Sequence, residues 1–324
     1  MKTLKTLTQL SKVLCLLGLL CTGKAQAEDI SGPISVTKTI LEDSRLVGDV
    51  TCTMTDSPCI DFGAPHIKLR LNGFTITGPA DPDNPSSGFC NASSATPQAD
   101  GIRILDQTDG EILGPGMVQK FRRHGIFIRG TIGVSTRAKV KLVTSHHNCF
   151  SGIFLNMASD SVIEENVSVR NANNSGAAPC GGSCITNSFH NTIRRNQFSG
   201  NGSVGPPSND FGVGLVGASG GNVIEDNSIG GNTNGILIQA DAVHNVIRRN
   251  IIAGNPPGQV SRTFGAAVGF DVKDESTVAG SGARNTFQQN WCVTYSGPGP
   301  APCPNFPGPR RGDDDDDDDD EEDN

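Results

Sequence analysis

The chain has 324 residues, a formal net charge of −8, 40 glycines and only 5% aromatic residues. Eleven acids stand together from Asp313 to Asp323, so the rest is nearly neutral and has none of the basic surplus that nucleic-acid binding requires. No segment has a helical apolar period, which excludes a helical bundle.

Residues 1–27 carry Lys2, Lys5 and Lys12, an apolar run from Val13 to Leu20, and Ala25-Gln26-Ala27 as a small-residue cleavage site. This reads as a secretory signal, too short to span a membrane, and predicts a secreted or periplasmic protein with no membrane span. Removing the signal leaves eight of the ten cysteines, an even number that suggests disulfides, with Cys52–Cys59, Cys180–Cys184 and Cys292–Cys303 as local pairs and Cys90 and Cys149 left over. Residues 28–59 lack the repeat described below and are expected to cap it, because an open strand edge invites aggregation.

The first coil is His66 to Gly78, with alternating apolar residues and a glycine corner. Residues 79–100 form a polar excursion in which Asp81, Asp83 and Asp100 are either solvated or able to help hold Ca²⁺. No other cofactor is implied, and no metal set is assigned. Coils follow through Gly101–Phe121 and His124–Phe150. Arg122, Arg123, His124 and Arg129 lie together as a basic patch that either meets an anionic sugar or caps a turn.

Five phrases then recur in one register: Ser161-Val-Ile-Glu-Glu-Asn166, Asn191-Thr-Ile-Arg-Arg-Asn196, Asn222-Val-Ile-Glu-Asp-Asn227, Asn245-Val-Ile-Arg-Arg-Asn250 and Asn285-Thr-Phe-Gln-Gln-Asn290. A second phrase gives Gly101-Ile-Arg-Ile, Gly125-Ile-Phe-Ile, Gly152-Ile-Phe-Leu, Gly212-Val-Gly-Leu and Gly235-Ile-Leu-Ile. Short strands between glycine and asparagine corners at such a period indicate a solenoid with one coil per repeat. Stacked coils place Asn166, Asn196, Asn227, Asn250 and Asn290 in one hydrogen-bonded column, about 4.8 Å apart. The pair before that column alternates in sign from coil to coil, as register pinning by cross-coil ion pairs requires.

With these phrases the chain resembles the right-handed parallel β-helix (pectin-lyase-like) superfamily over Ile60 to Trp291. The repeat is one shared by secreted carbohydrate-active proteins and periplasmic copper-site maturation proteins. The resemblance implies an all-β, single-domain solenoid with an N-terminal cap (28–59), coils (60–291), a Pro/Gly-rich segment (292–311) and a disordered acidic tail (312–324). It further implies engagement of an acidic polysaccharide, with β-elimination, C5 epimerisation or hydrolysis as candidate reactions. The polygalacturonase set N-T-D, D-D, G-H-G, R-I-K is missing from the coils. The pectate-lyase R-x-P-x-x-R and the epimerase Y-G-x-D-P-H are missing too. A non-catalytic secreted or surface β-helix, structural or binding, is therefore the alternative. Metal delivery would need clustered Met and His, and four Met in the whole chain argue against it.

Asparagine intervals of 30, 31, 23 and 40 residues place the insertions Ser175–Gly181, Ser203–Asp210 and Pro256–Phe264 at one corner, where they would wall a groove. Beside it the glycine-type strands offer Phe127, Phe154, Arg129, Asn156 and Gln239 as substrate contacts. A column Arg103, Phe127, Phe154, Cys184, Gly214, Leu237, Gly269 is expected, followed by a second column ending at Gln239 and Asp271. Asp160 beside His190 on adjacent coils is an acid–base candidate, since a carboxylate can orient and charge an imidazole. Asp271 with Lys273 in the irregular last coil is the other, and each pair is equally readable as corner packing or a surface network. The partner is expected to be a polysaccharide, and the chain is expected to be a monomer.

Overall fold

The computed structural model describes residues 27–80, 99–172, 181–202, 211–255, 269–276, 284–298 and 303. Residues 1–26, Asp81, Asp83, Cys90, Cys180, the corner insertions up to Gly181 and the acidic tail lie outside them.

Every described strand pairing is parallel, and the strands stack on three faces of one solenoid. Face 1 is a ten-stranded sheet of β2 (Lys38–Ile40), β4 (Ile60–Phe62), β7 (Ile102–Leu105), β9 (Ile126–Arg129), β11 (Ile153–Asn156), β14 (Gly181–Thr186), β17 (Phe211–Val216), β20 (Asn234–Ile238), β23 (Val272–Asp274) and β26 (Tyr295–Ser296). Four long strands begin on face 2 and continue onto face 3 or pair with strands of both: β1 (Glu28–Ile34), β3 (Ser44–Cys52), β8 (Glu111–Gln119) and β10 (Lys139–His146). Between them lie β5 (Lys68–Arg70) and β6 (Thr75–Thr77). Beyond β10 the faces separate. Face 2 continues as β12 (Val162–Glu164), β15 (Thr192–Arg194), β18 (Val223–Glu225), β21 (Val246–Arg248) and β24 (Thr286–Gln288). Face 3 continues as β13 (Val167–Val169), β16 (Gln197–Ser199), β19 (Ser228–Gly230), β22 (Ile251–Ile252) and β25 (Trp291–Cys292).

The alternation seen in each phrase places every second residue of a strand inside. Ile112, Val140, Ile163, Ile193, Ile224 and Ile247 form an inner column on face 2, each fully buried. Ile104, Ile128, Leu155, Ile185, Leu215 and Ile238 do the same on face 1. Removing such side chains from water is the main favourable contribution, at roughly 1.5–3 kcal/mol for each Leu, Ile or Val.

The corners carry three asparagine ladders rather than one. The expected ladder, Asn166 to Asn290, turns the chain from face 2 to face 3. Each Oδ1 accepts the backbone N–H and the Nδ2–H of the Asn one coil earlier, at 2.9–3.1 Å. A second ladder of Asn191, Asn222, Asn245 and Asn285 turns face 1 into face 2. A third, Asn148, Asn171, Asn201, Asn232 and Asn255, turns face 3 back to face 1. This third ladder explains the glycine phrase. A Cβ on Gly125, Gly152, Gly182, Gly212 or Gly235 would sit 2.7–2.9 Å from the Nδ2 of Asn148, Asn171, Asn201, Asn232 or Asn255. A side chain there would push the ladder out of register.

The sign alternation on face 2 is realised as cross-coil ion pairs, Arg194–Glu164 and Arg248–Glu225 at 2.7 Å and Arg249–Asp226 at 2.8 Å. The carboxylate of the first pair is shielded from water, the Glu164 side chain being only 4% exposed. Lys139, Lys141, Arg194 and Arg195 all converge on it.

Parallel pairing begins at Glu28 with β1 against β3, inside the segment expected to cap the solenoid, and runs on through Ser296. Residues 28–59 lack the repeat phrase but keep its alternation, with Ile30, Leu46 and Val50 buried. Disulfides join Cys52 to Cys59 and Cys292 to Cys303, with Cα separations of 5.8 and 5.3 Å. Cys149 is also disulfide-bonded. No helix of the described residues is long and apolar enough to cross a membrane.

Candidate functional site

The outward side chains of face 1 stack in register as Asp61, Arg103, Phe127, Phe154, Cys184, Gly214, Leu237 and Lys273. The member opposite Leu237 is Lys273, not Gly269, across the long insertion, and the column runs on to Ser296. This face is not an open stacking platform. Phe127, Cys184 and Leu237 are 3%, 1% and 1% exposed, and Cys184 and Leu237 join Ala172 and Phe211 in an apolar cluster outside the sheet. Gly214 leaves the space that the Phe211 ring fills.

A polar and aromatic nest lies where the chain turns from face 3 into β9. Equivalent positions just before Gly101 and Gly125 put Asp100 and His124 in one column on adjacent coils. The His124 N–H donates to Asp100 Oδ1 at 3.2 Å. The His124 ring is stacked on Phe154, centroids 4.4 Å apart at 7°, and packs against Phe127 and Phe150. Its Nδ1 accepts the Ser151 N–H, so a neutral ring carries its proton on Nε2. Burial, with the Arg123 charge alongside, holds this imidazole well below its ordinary range, and it is neutral at physiological pH.

The Arg123 guanidinium sits over the Phe127 face, 5.0 Å from the ring centroid, in cation–π geometry. Its Nη1 lies 3.9 Å from Asp100 Oδ2, an ion pair without a hydrogen bond. Among the described residues both atoms are buried and without a hydrogen-bond partner, as is Arg122 Nε. Burial pushes the Asp100 carboxyl up to about 6, although Arg123 pulls the other way. Arg103 is not part of this shortage, because it is paired bidentately with Asp61 at 2.9 and 2.7 Å.

From β9 a second outward column leads away from the nest. Arg129 is exposed, and Asn156, Thr186 and Val216 follow it half-buried and in register. Gln239, just beyond β20, continues the polar line, but its Oε1 accepts the Gly217 N–H at 3.3 Å and braces a turn.

The four acid–base candidates do not form one site. Asp160 and His190 are both exposed and share a left-handed corner column, with φ of 58° and 57°. Asp160 Oδ2 accepts the Ser135 hydroxyl at 2.5 Å, and the His190 ring lies over Gly221, where a Cβ would come within 2.6 Å of it. Among the described residues no hydrogen bond or ion pair joins the two. Asp271 is 1% exposed and ends the third asparagine ladder. Its Oδ1 accepts from Asn255 N and Nδ2, and its Oδ2 accepts from Val293 N and Thr294 N. Lys273 pairs with Glu275 at 2.7 Å. Four coils separate Lys273 from the Asp160 coil, about 19 Å at the usual strand spacing.

Among the described residues no group of three His, Cys, Asp or Glu side chains is placed to hold a metal ion. Asp100, the described member of the suggested Ca²⁺ set, is buried against Arg123. Ca²⁺ prefers six to eight oxygen ligands, and a guanidinium opposes it.

No curated protein matches the sequence. Among solved structures the chain is similar to the Dettilon tailspike protein, at 16% identity and a TM-score of 0.45 over 72% of this chain and 45% of that one, so it spans less than half of that protein. It is similar to pectate lyase Pel9A at 14% and 0.48, over 76% of this chain and 70% of that one. For the A-module of the Azotobacter vinelandii mannuronan C-5 epimerase AlgE4 the values are 10% and 0.38, over 84% and 91%. A family model described as a right-handed β-helix region matches residues 124–299, more than half of the chain. With three stacked faces and a ladder at every corner, the protein belongs to the right-handed parallel β-helix family.

Proposed function

We propose that this β-helix engages an acidic polysaccharide outside the cytoplasm, holding it at the Arg122–Arg123 nest and along the Arg129, Asn156, Thr186 column. The observation that carries this reading is the pair of buried arginine N–H groups, Arg122 Nε and Arg123 Nη1, that lack acceptors. An unpaired buried donor costs about 1–3 kcal/mol, which a carboxylate or sulfate oxygen recovers by accepting from it. A planar guanidinium fork suits such a group, and the polar column beside it offers amide and hydroxyl partners to sugar hydroxyls.

Binding without cleavage is favoured by the dispersal of Asp160, His190, Asp271 and Lys273 over separate contacts. Affinity electrophoresis through gels containing pectate, alginate or a neutral glucan tests the proposal. Retardation by an acidic polymer, absent with the glucan and lost in Arg123→Gln, is expected. Equal retardation by the glucan, or none lost in the variant, would overturn it. Following unsaturated uronate by ultraviolet absorbance in the same mixtures separates lyase action from binding alone.

A further inference from the structure

Just before the third ladder, one residue per coil leaves face 3 in the left-handed conformation: Lys120, His147, Arg170, Gly200, Gly231 and Gly254, with φ between 52° and 67°. Backbone hydrogen bonds stack them coil on coil, the Arg170 N–H donating to the Ser199 carbonyl and the Gly231 N–H to the Gly254 carbonyl. The left-handed φ alone does not call for glycine, since the same conformation at the corner from face 2 to face 3 carries Glu165, Arg195, Asp226, Arg249 and Gln289. Nor does crowding. Among the described residues a Cβ on Gly200 or Gly231 would meet nothing nearer than 3.7 Å, and one on Gly254 nothing within 4 Å. The three exposed glycines leave a strip of bare backbone that leads to Arg170, then to Lys120 and, directly after it, to the Arg122–Arg123 nest. Beside the strip, β13, β16, β19 and β22 bear no acid, whereas face 2 bears Glu164 and Glu225.

We propose that the strip and the nest receive the chain's own acidic run, Asp313–Asp323, which occupies the arginines as an intramolecular competitor of the anionic ligand. The inference rests on the reading of the nest as an anion site. The Cys292–Cys303 disulfide anchors the outgoing chain at the last coil of face 3, one coil beyond Gly254. Six coil steps separate that coil from the one that ends at Lys120, about 29 Å at the usual strand spacing. The ten residues from Cys303 to Asp313 span up to about 33–36 Å, so the acids reach the nest along the strip. Side chains on Gly200, Gly231 and Gly254 would hold a passing chain off the corner, and their absence lets it lie close. At the end of the strip its carboxylates supply the acceptors that Arg122 Nε and Arg123 Nη1 lack among the described residues. Tethering sets an effective concentration on the order of millimolar, against which a free anionic ligand must compete.

Nitrogen-15 spectra of the full chain are compared with those of a chain of the same length in which each Asp of the run becomes Asn and each Glu becomes Gln. The amides of Gly200, Gly231 and Gly254 and the Nε–H groups of Arg122 and Arg123 are expected to differ between the two, independently of protein concentration, while Asp226 and Arg249 on the other corner stay in place. The neutralised chain should bind an oligouronide about tenfold more tightly than the wild type. Gly231→Asp, a residue type that tolerates the left-handed conformation, should reproduce that gain by repelling the acidic run. It stands four coils from Lys120, about 19 Å and well beyond the Debye length of about 8 Å, so its charge does not act on the nest directly. A damaged fold lowers affinity, so misfolding cannot mimic the gain. Identical spectra and equal affinity in the two chains overturn the proposal and leave the nest as an anion site. Differences that vanish on dilution also overturn it, because they place the acidic run of a second copy on the strip. Spectral differences without oligouronide binding by either chain uphold the docking of the acidic run and overturn the polysaccharide reading instead.

Discussion

Asn227 makes four hydrogen bonds with one side chain. Its Oδ1 accepts from Asn196 N and Nδ2, and its Nδ2 donates to the Ile193 carbonyl and to Asn250 Oδ1, all at 2.9–3.0 Å. Truncation strands those groups inside the solenoid, so Asn227→Ala is expected to cost about 2–4 kcal/mol in denaturant unfolding. Asp271 is the same device with a charge, placed where the next partners are two N–H groups of the 293–294 turn rather than another amide. Asp271→Asn sets an NH₂ against two N–H donors, whichever oxygen it replaces, and should lose about 1–3 kcal/mol, with no change in polysaccharide binding. A fall in binding at unchanged stability would return Asp271 to the functional candidates. The repeat phrases made the Asn166 column legible, and Asn191, Asn222 and Asn245 stood in the same phrases. The third ladder was missed although Asn171, Asn201, Asn232 and Asn255 each stand five residues after a member of the first; the insertions of unequal length lie beyond them, before the glycine phrase. Its signal was the glycine, whose missing Cβ makes room for each amide.

Between neighbouring coils, charge and close approach set the register. Burial alone would raise the Glu164 carboxyl, but hydrogen bonds from Arg194 and Lys139, with the Lys141 charge, outweigh it and bring it down to about 2. A carboxylate held below its unfolded value stabilises the fold above that value, and the contribution is lost as pH falls towards 2. Stability should therefore decline from about pH 4.5 downward by on the order of 2–3 kcal/mol from this group, and Glu164→Gln should flatten that limb of the curve. Gly212→Ala tests the close approach. Its Cβ would meet Asn232 Nδ2 at 2.8 Å and the Gly235 carbonyl oxygen at 2.9 Å, so thermal unfolding should report a loss of about 1–3 kcal/mol or more. Sequence patterns predicted both the sign alternation and the glycine corners. Burial of Glu164 was not legible, because it arises from Lys139 and Lys141 on β10, a strand that lacks the repeated phrase.

At the scale of the whole molecule, the solenoid turns residues distant in sequence into neighbours one coil apart. Asp100, Arg123, His124 and Phe154 meet for that reason. The sequence placed Asp100 in a loop and the arginines with His124 in a separate patch, although Asp100 and His124 each stand directly before a glycine-type strand. The Phe127 and Phe154 platform was predicted as exposed. It is packed instead against His124 and Arg123, because the outer face of face 1 carries its own apolar cluster. The raised Asp100 carboxyl makes the folded state hold a proton between its ordinary value and about 6, so its contribution to stability falls as pH rises through that window. Below about 6 the folded-state carboxyl is neutral and no longer competes for Arg123. An anionic ligand should bind more tightly near pH 5 than above pH 7, and Asp100→Asn should remove most of that difference.

The most direct measurement is calorimetric titration of the protein with an acidic oligouronide and with the same oligosaccharide after reduction of its carboxylates, for the wild type and for Arg123→Gln. Binding of the acidic form only, stronger at mildly acid pH and lost in the variant, is expected. Equal affinity for the reduced oligosaccharide, or full affinity without Arg123, would contradict it.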